Sequence, residues 1–283
     1  MRLRVGCIDY VNSLPVDLGL LTRGKSLNFD LKPGFPEELN RGLATGELDI
    51  SPISTFHYAQ NFEDLILVPN MSISSVNAVQ SVLLFSKRKI DDLNFKKIYI
   101  SAQGKTTPEL ARLVIGKRFE SNPIFESTVI HIDDVIANQL DADAFVLLGD
   151  DALIAADKLS SDWLVYDLAK EWQDWTGFAF VFAVWAIRKQ VANGYGDLCD
   201  EVLAEWQKSR EWGQTHKEDV LNRAQEISSL SRVSLESYFG DLRYDLKDDL
   251  IQGLTHFYKL CFEDKRIESE VPINFYETVK ARS

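Results

Sequence analysis

Residues 6–15 read Gly6-Cys7-Ile8-Asp9-Tyr10-Val11-Asn12-Ser13-Leu14-Pro15, an apolar run that ends in an amide and a hydroxyl. Asn12 offers a donor and an acceptor without adding charge, and Ser13 adds a hydroxyl beside it. Pro15 stands where the first turn of a helix tolerates its missing N–H. Strand, polar elbow and helix start together deliver free backbone donors at a strand's carboxyl end, where open α/β sheets bind anions. The same residues also read as a capped connection without a ligand.

Further segments carry similar chemistry. Ser51-Pro52-Ile53-Ser54-Thr55 is a strand end leading into a helix, where Ser54 serves as a cap or a ligand contact. In Ser101-Ala102-Gln103-Gly104-Lys105-Thr106-Thr107-Pro108, Thr107 reads as an N-cap and Pro108 as the first helical residue. The Thr106 and Thr107 hydroxyls and the free N–H groups then converge on one spot, which suits a carboxylate. A nucleotide-binding P-loop is excluded, because only Gly104 precedes Lys105 at close range. Val79-Gln80-Ser81 puts a serine at the entry to an apolar run, Asp150-Asp151 follows another and either caps a helix beginning near Ala152 or faces the cleft, and Thr176-Gly177 precedes a third, where the glycine reads as a hinge.

The elements needed to position these groups alternate from the start. Strands are expected over 3–8, 48–51, 97–101, 128–132 and 144–148, and helices over 15–21, 36–46, 108–119 and 133–140, with a further helix opening at Ser54-Thr55. Gln80–Ser86 and Phe178–Ile187 read as longer strands buried on both faces. A β-α alternation flanked by two such runs predicts an α/β protein of two lobes, 1–84 plus 188–283 and 87–179, joined by two crossover strands with the ligand cleft between the lobes. The final region is helical, with Leu198, Val202 and Trp206, then Leu246, Leu250 and Leu254, on buried stripes that Phe257 and Cys261 complete.

Composition narrows the partners. The 283 residues carry 31 basic and 43 acidic side chains, a net charge of −12, which repels nucleic acid and anionic membrane. An anionic substrate must then be captured locally, by helix ends and hydroxyls. Cys7, Cys199 and Cys261 give no disulfide framework, and His57, His131, His216 and His256 show no zinc spacing. Neither a metal nor a cofactor is expected. Met1-Arg2-Leu3-Arg4-Val5 runs straight into strand-like sequence, and the longest apolar run, 178–187, is ten residues. A soluble, cytoplasmic protein is expected, since a membrane span needs about 20.

The segment from Arg4-Val5-Gly6 to Leu14-Pro15 resembles the start of chorismate dehydratases, enzymes of the futalosine route to menaquinone. The resemblance continues in Gly46-Glu47-Leu48-Asp49-Ile50-Ser51-Pro52-Ile53-Ser54, Val79–Ser86, Gly149–Leu153, Asp167–Trp172, Thr176-Gly177 and Phe182–Trp185. It implies a type II periplasmic-binding-protein-like fold and a cleft bordered by Ser81. It also implies chorismate as the small-molecule substrate, dehydrated to 3-[(1-carboxyvinyl)oxy]benzoate. On this reading Asn12 and Ser81 are catalytic, while Ser13, Ser54, Thr106, Thr107, Asp150 and Thr176 bind substrate. Two proton acceptors stand open: Asp150, and a carboxylate of the substrate held by Asn12 and Ser81. Two alternatives accompany it. One is a non-catalytic cytoplasmic small-anion-binding protein. The other is the related 1,4-dihydroxy-6-naphthoate synthase, in which His131 would have to be catalytic. Prephenate dehydratase is set aside, because Lys117-Arg118-Phe119 lacks that family's threonine.

Overall fold

The computed structural model describes residues 2–136, 142–159 and 162–279. The chain begins with β1 (Arg4–Ile8), α1 (Leu14–Arg23), β2 (Asp30–Gly34), α2 (Pro36–Thr45), β3 (Ile50–Ser54), α3 (Thr55–Asn61) and β4 (Leu65–Ser75). Next come β5 (Val82–Ser86), β6 (Lys97–Ser101), α4 (Thr106–Leu113), β7 (Ile124–Thr128), α5 (Ile132–Ile136), β8 (Ala144–Leu148), α6 (Asp150–Lys158), β9 (Leu164–Asp167) and α7 (Leu168–Thr176). The last part holds β10 (Phe180–Arg188), α8 (Lys189–Gly194), α9 (Gly196–Thr215), α10 (Lys217–Ile227), α11 (Arg232–Asp241), β11 (Leu242–Arg243) and α12 (Asp248–Glu263).

Two mixed sheets result, ordered β11-β4-β10-β3-β1-β2 and β7-β6-β8-β5-β9. β10 lies antiparallel between β3 and β4, and β5 lies antiparallel between β8 and β9. The two long apolar runs are therefore central strands of opposite sheets, which explains their burial on both faces. In β5, Leu83 and Phe85 pack with Phe145 and Trp163, while Val82 and Leu84 join the larger core on the other face.

The chain changes sheets earlier than the boundary expected at residue 84. All of β5 belongs to the second sheet, so the first crossing falls in 76–81 and the second in 177–179. Two turns in the left-handed region mark them, at Gln80 (φ +61°) and Gly177 (φ +75°). The strand expected over 128–132 lies four residues earlier, as β7. α4 starts two residues early and runs into a π turn over Val114–Arg118. The expected helix 133–140 appears as α5, its remainder lying outside the described residues.

The C-terminal helices support the first sheet. α9 packs so closely on α1 that a Cβ at Gly213 would sit 2.1 Å from the Pro15 carbonyl oxygen. Ser209 on the same face donates to the Val16 carbonyl (2.5 Å) and accepts from the Leu20 N–H (3.0 Å), fixing α1 and the elbow before it. Among the described residues no helix is long and apolar enough to cross a membrane.

Candidate active site

The elbow carrying Asn12 is braced from below. After β1, a single 3₁₀ turn over Val11–Ser13 leads into α1. Ser13 is fully buried, and its hydroxyl is engaged with the carbonyls of Ile8 (2.8 Å) and Tyr10 (3.2 Å). Asp17, also without exposure, accepts from the Ile8 N–H (3.3 Å) and from Trp206 Nε1 (3.0 Å). Burial pushes the Asp17 carboxyl up to about 7, against the opposing pull of hydrogen bonds from Trp206, Ser13 and Ile8.

A stability effect follows from Asp17. Its folded pKa exceeds the unfolded value, so the folded state holds the proton more tightly between the two. The stabilisation is present at low pH and is lost as pH rises towards 7. From pH 5 to pH 8 this one group removes about 3 kcal/mol. Denaturant unfolding of wild type and Asp17→Asn at both pH values measures it. The variant's stability relative to wild type should rise by about 3 kcal/mol from pH 5 to pH 8; a pH-independent difference would mean Asp17 is ionised in the native state throughout.

Ser81 ends the first crossing and is fixed from several directions. One oxygen of Asp167 accepts from the N–H groups of Val79 (2.9 Å) and Gln80 (2.6 Å). Its other oxygen caps α7, accepting from Ala169 (3.0 Å) and Lys170 (3.1 Å). The Gln80 side chain donates to Ser237 Oγ (2.9 Å) and Asp241 Oδ2 (2.6 Å), holding a backbone conformation that costs a non-glycine residue about 1–3 kcal/mol. The Ser81 carbonyl accepts from the Gly149 N–H at 2.8 Å. Gly149 itself takes φ +65° and ψ −143°, a region open essentially to glycine alone, and lies against the Tyr10 ring.

Tyr238, on α11, donates its hydroxyl proton to Ser81 Oγ at 3.0 Å. Burial drives the Tyr238 ionisation far upward, so the phenol stays neutral and remains a donor. Ser81 Oγ thus already accepts one hydrogen bond, and its own proton is left for a ligand. Asn12 faces the same space, and its Oδ1 is sealed from solvent without a partner. A buried acceptor in that state calls for a donor that the protein does not supply.

Asn12, Ser81 and Tyr238 meet in a cavity of about 80 Å³, walled further by Ser54, Thr106 and Thr107. Among the described residues, its wall contains no carboxylate, imidazole, amine or thiol. Ser54 accepts from Asn40 Nδ2 (3.1 Å), and its N–H donates to Asn40 Oδ1 (2.9 Å). Thr106 is spent on the fold: its hydroxyl accepts from the Phe56 N–H (3.1 Å) and donates to the Phe182 carbonyl (3.2 Å). α4 begins at Thr106 with Lys105 as its N-cap, so Thr107 is not the cap its sequence suggests. Among the described residues the Thr107 hydroxyl has no hydrogen-bond partner, and it is not sealed from the cavity.

Three expected site residues stand outside that wall. Ser13 lies beneath it, as described. Thr176 donates to the Trp172 carbonyl (2.9 Å) and accepts from the Phe178 N–H (3.1 Å), closing α7 at the second crossing. Asp150 opens α6 behind the Tyr10–Asn12 elbow, accepting from the Val11 N–H and leaving Oδ1 buried without a partner. Burial, with the adjacent Asp151 charge, raises the Asp150 carboxyl to about 6. His131 is exposed and does not line the cavity.

A family model described as menaquinone biosynthesis matches residues 3–263. The chain belongs to the menaquinone biosynthesis family. Its relatives include the chorismate dehydratase of Thermus thermophilus, 26% identical over 267 residues, covering 89% of this chain and 93% of that protein. Among solved structures, a protein of Archaeoglobus fulgidus superposes with a TM-score of 0.75 at 20% identity, over 94% of this chain and 98% of its own. The alkanesulfonate-binding protein of Xanthomonas axonopodis pv. citri bound to MOPS gives 0.71 at 15% identity, over 96% of each chain. The periplasmic aliphatic sulphonate binding protein of Escherichia coli gives 0.69 at 14%, over 98% of this chain and 92% of its own. The fold is thus the two-lobed periplasmic-binding-protein-like fold that the resemblance implied.

In this family member, two residues that position the centre escaped the sequence reading. Tyr238 lies 157 positions from Ser81, on a helix whose pattern signals only packing. Asp167 entered only as part of the Asp167–Trp172 resemblance, and its bonds reach back 88 and 87 positions to Val79 and Gln80. Thr107 provides a further test of the wall. Thr107→Val should raise the Michaelis constant for an anionic substrate by about tenfold, the worth of one hydrogen bond to a charged group, with turnover near normal. An unchanged constant in steady-state assays would mean that the hydroxyl faces only water.

Proposed function

We propose that this protein is a chorismate dehydratase, converting chorismate to 3-[(1-carboxyvinyl)oxy]benzoate in the cytoplasmic futalosine route to menaquinone. The supporting observation is the composition of the cavity wall: an unpartnered Asn12 acceptor opposite a Ser81 hydroxyl, with no ionisable base beside them except tyrosines. Such a wall can orient and stabilise, but it has no carboxylate or imidazole of its own to take a proton. The reaction must therefore bring its base with it or need very little help, and chorismate satisfies both conditions. It carries two carboxylates, and loss of water makes its ring aromatic.

The C3 proton is allylic and vinylogous to the ring carboxylate, so deprotonation precedes loss of the hydroxyl. The C3–H electrons flow towards the ring carboxylate, then return to form the C3–C4 double bond as the C4–O bond breaks. Asn12 Oδ1 accepts from the departing hydroxyl, and Ser81 donates to the carboxylate that gathers charge. Asp150 stands outside the wall, so a carboxylate of the substrate itself takes the proton and passes it to the leaving hydroxide. The N-terminus of α4, with the Thr107 hydroxyl, holds the other carboxylate. Residues 82–179 would form the lobe that closes on the substrate.

Incubating the purified protein with chorismate and separating the products by chromatography tests this reading. Appearance of the aromatic enol ether supports it. Binding of chorismate without turnover would favour a small-anion-binding protein, as would the relatives named for sulfonate binding.

A further inference from the structure

A second cavity of about 560 Å³ lies between α9, α10 and the segment from α11 into β11. Leu242 belongs to the walls of both cavities, so the two adjoin without sharing their polar groups. One side is apolar, with Val220, Leu221 and Phe239. Arg210 on α9 and Lys217, one turn before Val220 and Leu221 on α10, also line the cavity, and among the described residues neither forms an ion pair.

The state of these cations is unusual for so acidic a chain. Both carboxylates in the wall pair with other cations, although Glu236 shares Arg232 with Glu218, and Asp245 also attracts Arg210. Asp245 pairs with Arg243 (3.0 Å) and Lys247 (3.3 Å), and Glu236 with Arg232 (3.0 Å). Arg210 is pinned through one nitrogen only, Nη1 donating to the carbonyls of Asn70 (2.5 Å) and Tyr244 (3.0 Å). Among the described residues its Nε and Nη2 have no partner, and they are not sealed off. A guanidinium pinned through Nη1, with its remaining donors unpartnered among the described residues, offers a fork for a planar oxyanion. The ammonium of Lys217 adds a second charge beside the apolar wall.

We infer that this cavity is a second ligand site, distinct from the Asn12–Ser81 cavity, for a small carboxylate with an apolar ring. The carboxylate lies on Arg210 and Lys217, and the ring lies against Leu221 and Phe239. The inference is independent of the proposed reaction.

The probe is 4-bromobenzoate, with 4-bromobenzamide as its uncharged match. Calorimetry on the wild-type protein should show the acid binding at least about tenfold more tightly than the amide, the worth of one charge-assisted pair. Soaked crystals should place the anomalous bromine signal beside Leu221 and Phe239. Arg210→Gln should weaken binding of the acid by about tenfold and leave the amide unchanged. Because Arg210 also braces two carbonyls, Lys217→Gln is the second variant; it should weaken the acid about threefold and disturb no internal contact. Equal affinity for acid and amide, bromine only in the Asn12–Ser81 cavity, binding at crystal concentration only, or wild-type affinity in both variants would overturn the inference.

Discussion

Asn12→Ala and Ser81→Ala should each lower turnover of chorismate by about 10²-fold or more, the loss seen when one positioned donor or acceptor is removed from a desolvated centre. The effect should fall on turnover rather than on the Michaelis constant, because both groups act where charge develops. Asn12 Oδ1 is a buried acceptor with no partner, and it gains one as the hydroxyl departs. The Ser81 hydroxyl accepts from Tyr238 at 3.0 Å and its backbone carbonyl from the Gly149 N–H at 2.8 Å, so its own proton is left to donate. The double variant should lose less than the product of the single losses, since the two groups serve one transition state. Steady-state kinetics on folded variants decides this; near-normal turnover in either would place the reaction elsewhere.

The next largest effect should come from Asp167, which touches no substrate. Its two oxygens satisfy four backbone N–H groups: two in the first crossing and two at the start of α7. Asp167→Ala removes a helix cap worth about 1 kcal/mol. It also leaves the buried donors of the crossing unsatisfied, at about 1–3 kcal/mol each. A total loss of roughly 3–7 kcal/mol is expected by denaturant unfolding. Gln80 would no longer be held at φ +61°, so Ser81 should drift and turnover should fall together with stability. Asp167→Asn keeps an acceptor and should recover part of both. A variant that loses stability but keeps full turnover would show that the crossing is positioned by its other bonds.

Local chemistry made part of this molecule readable. β8 is an unbroken apolar run, β1 and β6 keep apolar stretches behind a basic first residue, and α2 is bounded by Pro36 and by Gly46 at φ +80°. The Asn12 elbow and the Ser81 crossing could be placed because polar residues interrupt strand patterns where a sheet ends. β4 was not readable, although it has eleven residues and is among the longest strands. Pro69, Asn70 at φ +55° and three buried serines break its alternation, and its pairing with β10 slips register twice. Two of those serines are satisfied by distant carbonyls, Ser72 by Asp245 and Ser74 by Arg243 at 3.3 Å, which no local pattern announces.

The division of labour among hydroxyls was hidden for the same reason. Thr106 and Thr107 look equivalent in sequence, yet one ties α4 to Phe56 and Phe182 while the other stays open to the cavity. Ser13 and Thr176 also read as ligand contacts, and each instead closes a turn of its own backbone. Hydroxyl side chains bond nearby backbone wherever geometry allows, so sequence identifies the group but not its partner.

The most direct test of the account is the structure of wild-type crystals soaked with chorismate. The account predicts a flat, aromatic ring in the Asn12–Ser81 cavity, with one carboxylate near Ser81 and the other at the start of α4 beside Thr107. A puckered, unreacted ring there, or ligand bound only outside that cavity, would contradict it.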